Sequence, residues 1–113
     1  MTRIYKILAR AEWEAALQAR RFTGSAVDLA DGYIHFSTAA QAPETAARHF
    51  AGQDGLVVLE VEADDLGEAL RWEPSRGGDL FPHLYADLEA KAVRRVLAAP
   101  LGADGVPRLD LSP

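Results

Sequence analysis

The stretch Tyr33-Ile34-His35-Phe36-Ser37 carries more information about the fold than any other part of the chain. Side chains alternate between the two faces of a strand, so Ile34 and Phe36 share one face. We predict that this apolar face is buried in the core. The opposite face then presents a phenol, an imidazole and a hydroxyl, which can hydrogen-bond a sugar, a phosphate or a carbonyl. A plain solvated strand face is the alternative interpretation.

Apolar periodicity predicts the elements around this stretch. Strands are predicted at residues 4–8, 56–62, 70–73 and 92–97, and helices at residues 11–21 and 43–52. The strand at 56–62 is apolar on both faces in its first half, which indicates a central position in a sheet. Strands with two early helices and no regular βαβ alternation predict an α+β fold.

Local signals refine these elements. Thr38 and Gln41 have the spacing of a capping box, and Pro43 fits only the first turn of a helix. Residues 22–32 are predicted to form a loop. The sequence of residues 80–85 fits either a strand edge or an irregular segment, because Pro82 cannot donate a ladder hydrogen bond. The buried helix faces are predicted to consist of Trp13, Ala16, Leu17 and Arg20 in the first helix and Ala46, Ala47 and Phe50 in the second.

Composition bounds the class of protein. The chain has 113 residues, of which 49% are hydrophobic and 26% charged, as is typical of one domain with one core. We predict an ordered core at about residues 3–97 and a loosely ordered tail at 98–113, where prolines and glycines are frequent. The net charge of −5 disfavours non-specific binding to nucleic acid. The sequence leaves the oligomeric state open.

The expected compartment is the cytoplasm. The chain has no cysteine, which excludes disulfides and thiolate metal sites and fits a reducing environment. No apolar run approaches the roughly 20 residues that span a bilayer, so we expect no membrane helix. Residues 1–6 lack the apolar segment of a signal peptide.

Four further positions are candidates for chemistry. His83 and Tyr85 share a face if residues 81–85 are extended, although a proline-anchored loop covering a sheet edge is the alternative. Glu73, beside a tryptophan, has the setting of an acid or base, with a surface carboxylate as the alternative. Lys6 is a candidate anion contact or a snorkelling lysine. Asp28 and Asp31 are interpreted as turn formers.

Known cofactor motifs are missing from the sequence. It contains no Walker loop, no GxGxxG and no GxSxG pattern. His35 and His83 have no partner at metal-ligand spacing, so no metal site is predicted.

Several of these motifs together resemble the small bacterial family called domain of unknown function 952. The resemblance runs from Ile4 to about Val96 and rests on Ile4-Tyr5-Lys6-Ile7, Trp13, residues 24–38 with Gln41, Trp72-Glu73 and residues 81–85. The fold of that family is similar to that of ADP-ribosyltransferases. It therefore implies a curved, mostly antiparallel split sheet around an NAD-binding cleft, with residues 33–38 on the nicotinamide-ribose side.

The resemblance also implies a function, in which NAD or a related nucleotide is bound and transfer or hydrolysis occurs at its ribose. It implies catalytic roles for His35, Glu73 and His83, with Glu73 near the developing positive charge. The implied ligand-binding residues are Lys6, Tyr33, Ser37, Thr38, Gln41 and Tyr85. The chain departs from those enzymes in having Ile4-Tyr5-Lys6-Ile7 where their first strand carries His or Arg, and Glu73 and Glu89 are the candidates for their late-strand glutamate.

Two alternatives remain open at this point. One is a non-catalytic module that binds a small molecule or a protein. The other is acid–base hydrolysis by a pair formed by His35 and His83. The distinguishing features are whether the two histidines share a pocket, and whether Glu73 or Glu89 reaches it.

Overall fold

The computed structural model describes residues 1–112 as a set of short helices and antiparallel strands. The strands are β1 (Arg3–Ala9), β2 (Arg21–Phe22), β3 (Ile34–His35), β4 (Ser37–Thr38), β5 (Leu56–Glu62), β6 (Leu70–Pro74), β7 (Leu80–Leu84), β8 (Leu88–Glu89) and β9 (Val93–Ala99). The α-helices are α1 (Arg10–Ala19), α2 (Ala26–Asp31) and α3 (Ala42–His49). Three 3₁₀ segments lie at Ala63–Ala69, Arg76–Gly78 and Ala90–Ala92.

The strands form two main sheets and one small ribbon. The larger sheet has the order β4-β1-β5-β9, the second has the order β3-β7-β6, and β2 pairs with β8. Every pairing between these strands is antiparallel. The predicted α+β class is therefore confirmed, and so is the central position of β5, which lies between β1 and β9 with all seven residues buried.

A single stretch of backbone passes from one sheet to the other at Phe36. His35 pairs with His83 of β7, whereas Ser37 pairs with Tyr5 of β1. Between them, the backbone N–H of Phe36 donates to the carbonyl of Pro82 at 3.0 Å. Proline has no N–H to return the second bond of an antiparallel pair, so the ladder with β7 ends there. Residues 80–84 are thus a strand, and its proline marks the split between the sheets.

Two apolar clusters pack on this framework. The larger contains Ile4 and Leu8 of β1 together with Ile34 and Phe36, which confirms the predicted buried face of the 33–37 stretch. The smaller contains Tyr5 and, packed against it from the C-terminal segment, Leu109. Because side chains alternate along β1, Lys6 lies on the same face as Ile4 and Leu8 and is buried with them.

The predicted loop at residues 22–32 is wrong in its second half. Residues 26–31 form α2, and Phe22 belongs to β2. The local reason lies in Ser25 and Asp28, which are three residues apart: the backbone N–H of Ser25 donates to Asp28 Oδ2 at 2.8 Å, as in a capping box. Residues 1–112 therefore contain three α-helices where two were predicted, because a six-residue helix is too short to show a clear period.

The predicted buried faces of the longer helices are partly confirmed. In α1, Trp13 and Ala16 are buried, but Leu17 is 50% exposed and Arg20 ends the helix in the left-handed region at φ 65°. In α3, Ala46 is buried whereas Ala47 is exposed. The capping box before α3 is confirmed as follows: the Thr38 N–H donates to Gln41 Oε1 at 3.0 Å, and the Gln41 N–H donates to Thr38 Oγ1 at 3.2 Å.

The segment after residue 97 packs along the larger sheet. β9 continues to Ala99, which is buried, and the Arg108 N–H donates to the carbonyl of Pro100 at 2.8 Å. The backbone N–H of Gly52 donates to the carbonyl of Gly105 at 2.7 Å. The expectation of loose order over residues 98–113 concerns solution behaviour and stays a prediction.

Candidate functional site

The imidazoles of His35 and His83 lie side by side at the split between the sheets. Their ring centroids are 5.6 Å apart, as follows from the direct pairing of the two residues across β3 and β7. The Tyr33 ring lies 4.6 Å from His35, 4.1 Å from His83 and 5.2 Å from Tyr85. The structure thus brings the two His- and Tyr-bearing stretches together in one aromatic cluster.

Tyr33, His35 and His83 of this cluster, but not Tyr85, line a cleft of about 500 Å³, within the range of about 300–1,000 Å³ found for small-molecule sites. The polar residues that line it are Lys6, Asp31, Tyr33, His35, Ser37, Thr45, His49, Ser75, Arg76 and His83, together with Tyr5. Apolar side chains, among them Val27, Phe50 and Phe81, complete the lining. The cleft therefore combines apolar surface with polar and charged side chains that a ligand could contact.

Asp28 is the organising carboxylate of the site. It is 2% exposed and accepts hydrogen bonds from His35 Nδ1 at 2.6 Å and from the His35 backbone N–H at 3.1 Å. Lys6 Nζ lies 3.0 Å from Oδ1 and 2.9 Å from Oδ2, and the Ser25 N–H supplies a further bond. Burial opposes ionisation, but the His35 and Lys6 contacts outweigh it and hold the pKa of Asp28 at about 2.

The ammonium of Lys6 is internal. The residue is 4% exposed, which excludes the snorkelling alternative, and the anion that it contacts is Asp28. Burial lowers the pKa of Lys6, and the neighbouring carboxylate opposes this effect. Lys6 therefore fixes Asp28 in place, and Asp28 in turn fixes the ring of His35.

Both ring nitrogens of His35 are bound to carboxylates. Nδ1 contacts Asp28 Oδ1, and Nε2 contacts Asp31 Oδ2 at 2.9 Å. An ionised Asp28 can only accept, so Nδ1 carries a proton. Asp31 itself lines the cleft and its side chain is 46% exposed, which makes it the carboxylate that a ligand meets directly.

Glu73 reaches the site through His83. Its Oε1 lies 2.8 Å from His83 Nδ1 and accepts a 2.7 Å bond from the Tyr85 hydroxyl. These two bonds lower the pKa of Glu73, and the same Glu73 contact raises the pKa of Tyr85. The Glu73 carboxylate lies beside His83 and is not part of the cleft lining. Glu89, on β8, is exposed and approaches Lys91 at 3.7 Å, so it does not belong to this cluster.

Ser37, Thr45 and Arg76 lie together in the same cleft. Ser37 Oγ is 3.0 Å from Thr45 Oγ1, and Arg76 Nη2 donates to Thr45 Oγ1 at 3.4 Å. Ser37 was predicted from the strand period. Thr45 and Arg76 were not, because they lie in a helix and a 3₁₀ turn without any motif.

Thr38 and Gln41 are not among the lining residues of the cleft. Their polar groups serve the capping box, and Gln41 Nε2 also donates to the carbonyl of Leu80 at 2.8 Å. Their predicted ligand contacts therefore have no support from this geometry. Asp28 and Asp31, by contrast, were interpreted as turn formers and prove to hold His35. Two signals in the sequence could have revealed the role of Asp28. One is the three-residue spacing from Ser25, and the other is that a buried Lys6 needs an anionic partner.

A second, more open cavity of about 830 Å³ lies around Glu60. Its carboxylate is held by Arg3 Nη1 at 2.9 Å, Arg95 Nη2 at 2.7 Å and the Tyr5 hydroxyl at 3.2 Å. The Arg95 hydrogen bond, reinforced by the other two partners, lowers the pKa of Glu60 against the effect of burial. Glu60, Arg3 and Arg95 thus satisfy one another, and we do not assign a function to this cavity.

Within residues 1–112, no group of three or more His, Asp or Glu side chains is arranged to hold a metal ion. None of the helices described there has the length and apolarity needed to cross a membrane.

Comparison with known proteins gives a family and close structural relatives. The family model described as "Protein of unknown function (DUF952)" matches residues 7–96. The crystal structure of protein CC0527 from Caulobacter crescentus is similar, with 61% identity, a TM-score of 0.93, and coverage of 95% of this chain and 94% of that one. The solution NMR structure of CC0527 gives 61% identity and a TM-score of 0.86 over 96% and 93% of the two chains. No curated protein matches the sequence.

Proposed function

The chain belongs to the family of proteins of unknown function DUF952, and we propose that it binds NAD or a related nucleotide in the cleft and acts at its ribose. We further propose that its split sheet is of the ADP-ribosyltransferase type. The observation that carries the proposal is the meeting of Tyr33, His35, Ser37 and His83 in one cleft.

The lining of the cleft suits the parts of such a ligand. The Tyr33 ring and the neighbouring imidazoles form an aromatic surface on which nicotinamide or a base can stack. The Ser37 hydroxyl and the imidazoles supply donors and acceptors for ribose hydroxyls. The Lys6–Asp28 pair keeps His35 oriented and adds no net charge, which leaves Asp31 and Arg76 as the other Asp, Glu, Lys or Arg side chains of the lining.

The proposed reaction is substitution at the anomeric carbon. The bond from that carbon to nicotinamide breaks with its electron pair leaving on the ring nitrogen, and an oxocarbenium-like centre develops on the ribose. Water or an acceptor hydroxyl then attacks the anomeric carbon and passes its proton to a carboxylate. Asp31 is the carboxylate facing the cleft, so it stabilises the positive charge directly, while Glu73 acts through the imidazole of His83.

Calorimetric titration with NAD, ADP-ribose and nicotinamide tests the proposal. We expect heat and a rise in melting temperature with NAD and ADP-ribose, and weaker binding in Tyr33→Leu. The control is Leu29→Ala, a change at a residue that is exposed on α2 and outside the cleft lining. Absence of heat and of thermal shift with all three ligands at millimolar concentration would overturn the proposal.

A non-catalytic binding module is the second candidate, and one observation favours it. The Glu73 carboxylate is hydrogen-bonded to His83 and Tyr85 and does not line the cleft. It therefore does not directly face the positive charge that the sequence-based hypothesis expected it to stabilise. The two candidates differ in their products. Nucleotide binding together with chromatographic detection of free nicotinamide supports the enzyme, whereas binding without any release supports the module.

A further inference from the structure

Two hydroxyls and a guanidinium lie together in the cleft. The polar atoms are Ser37 Oγ, Thr45 Oγ1 and the Arg76 guanidinium, joined by contacts of 3.0 and 3.4 Å around the threonine hydroxyl. They come from a strand, a helix and a 3₁₀ turn, and all three line the cleft. A serine hydroxyl and a guanidinium are donors that proteins use for phosphate oxygens.

The hydroxyl of Thr45 directs the other two groups. Thr45 Oγ1 donates to the carbonyl of Gln41 at 3.2 Å, so it is an acceptor toward Ser37 and Arg76. The Ser37 and Arg76 donors are therefore held toward a common point without being committed to a charged partner there. An arriving anion replaces the neutral Ser37–Thr45 contact and the long Arg76–Thr45 contact with short charge-assisted hydrogen bonds, which are about twice as strong as neutral ones.

The guanidinium of Arg76 is fixed in orientation. It lies 4.8 Å from the centroid of the Phe81 ring, and its side chain is only 17% exposed. Its contacts to Thr45 and to Glu44, the latter at 3.6 Å, both use Nη2. The N–H groups of Nε and Nη1 are thus left for other acceptors. Glu44 is 56% exposed, so this ion pair is weak and competes only modestly with a phosphate.

We infer that Ser37 and Arg76, positioned by Thr45, form a phosphate subsite for a phosphorylated ribose whose leaving group lies toward Tyr33 and His83. This inference rests on the proposed function and adds the orientation of the ligand. Ser37 follows His35 by two residues across the passage between the sheets, and two residues of extended chain span at most about 6.6–7 Å. That reach is sufficient for a pentose from its anomeric carbon to a phosphate on its 5′ oxygen. Asp31 binds the far nitrogen of His35, so the opposite end of the cleft repels the phosphate and favours the developing positive charge.

The test is an NMR titration of amide resonances in the full chain with inorganic phosphate, ADP-ribose and nicotinamide. We expect phosphate and ADP-ribose, but not nicotinamide, to shift the amides of Ser37, Thr45 and Arg76. Arg76→Gln should weaken ADP-ribose binding by about 10-fold or more, since it removes charge-assisted hydrogen bonds. Glu44→Gln should strengthen it by about 2- to 5-fold because it removes a competing carboxylate. Arg10→Gln, an equal charge change at an exposed residue of α1, is the control and should change it less than about 2-fold.

The outcomes separate the subsite from the proposed function. ADP-ribose binding that Arg76→Gln leaves intact would overturn the subsite and leave the function standing. Phosphate binding at Arg76 without any nucleotide binding would keep the subsite and remove the function. No binding of phosphate or nucleotide overturns both. If Arg76→Gln loses its folded spectrum, Arg76→Lys, which keeps the charge but not the planar fork, together with Glu44→Gln gives the same decision.

Discussion

Removing the charge of Asp28 should destabilise the protein more than removing any comparable surface carboxylate. The fall in the pKa of Asp28 from 3.8 to about 2 corresponds to about 2 kcal/mol of native-state stability. A carboxyl whose folded-state pKa is depressed contributes this stability above its unfolded pKa. The contribution is therefore complete above about pH 5 and is lost as the pH falls from about 4 toward 2.

The substitution Asp28→Asn also leaves Lys6 buried without its anion. Removing one partner of a buried ion pair costs about 3–5 kcal/mol, which is the loss that we expect at pH 7. The variant should regain stability as the pH rises toward about 10, because burial lowers the folded-state pKa of Lys6 and the unfolded chain binds its proton more tightly. The wild-type protein should gain less stability over this pH range, because Asp28 opposes the fall in the pKa of Lys6.

Urea unfolding followed by tryptophan fluorescence, to which the buried Trp13 and the partly exposed Trp72 both contribute, measures the effect. The matched control is Asp31→Asn, which removes a partly exposed carboxylate from the same helix and should cost less than about 1 kcal/mol. A double variant that also changes Lys6→Met should be more stable than Asp28→Asn alone. If Asp28→Asn cost no more than Asp31→Asn, the buried pair would not hold the site together and this reasoning would be wrong.

Two further predictions concern other parts of the site. Glu73→Gln should lower the pKa of Tyr85 toward its ordinary value, because the hydrogen bond to the carboxylate raises that pKa. Ultraviolet titration measures the change, and Tyr85→Phe identifies which transition belongs to Tyr85. A Tyr85 titration that is the same in Glu73→Gln and in the wild type would contradict the prediction. Gly24→Ala should cost about 1–3 kcal/mol, since φ is +121° and the added methyl would lie 2.9 Å from Asp28 Cβ. Gly52→Ala, at φ +77° with open space around it, should cost less, and equal melting temperatures would refute the clash.

Much of the framework was predictable because it follows local rules. The strand over residues 56–62 is apolar on both faces, and a central strand is the usual place for such a run. The capping box of Thr38 and Gln41 needs only residues three apart. The shared chemistry of the two His–Tyr stretches suggested that they meet, and the period of two placed His35 and Ser37 on one face.

The rest of the site depends on contacts that a local pattern does not encode. Lys6 and Asp28 are 22 residues apart, and only the packing of α2 against β1 makes one the partner of the other. Arg76 and Thr45 are separated by 31 residues and carry no motif. Leu17 was predicted to be buried but is exposed. Periodicity defines the apolar face of a helix, but it does not show how much of that face the neighbouring elements cover.

The passage of the chain from one sheet to the other limits how far the proposed site can adapt to ligands of different length. His35 is paired with one sheet and Ser37 with the other, and Phe36 alone lies between them. A flexible loop in the same place would adapt to longer or shorter ligands. Backbone pairing on both sides of Phe36 restricts the distance between His35 and Ser37, so we expect the cleft to select ligands by the separation of the groups that these two side chains contact.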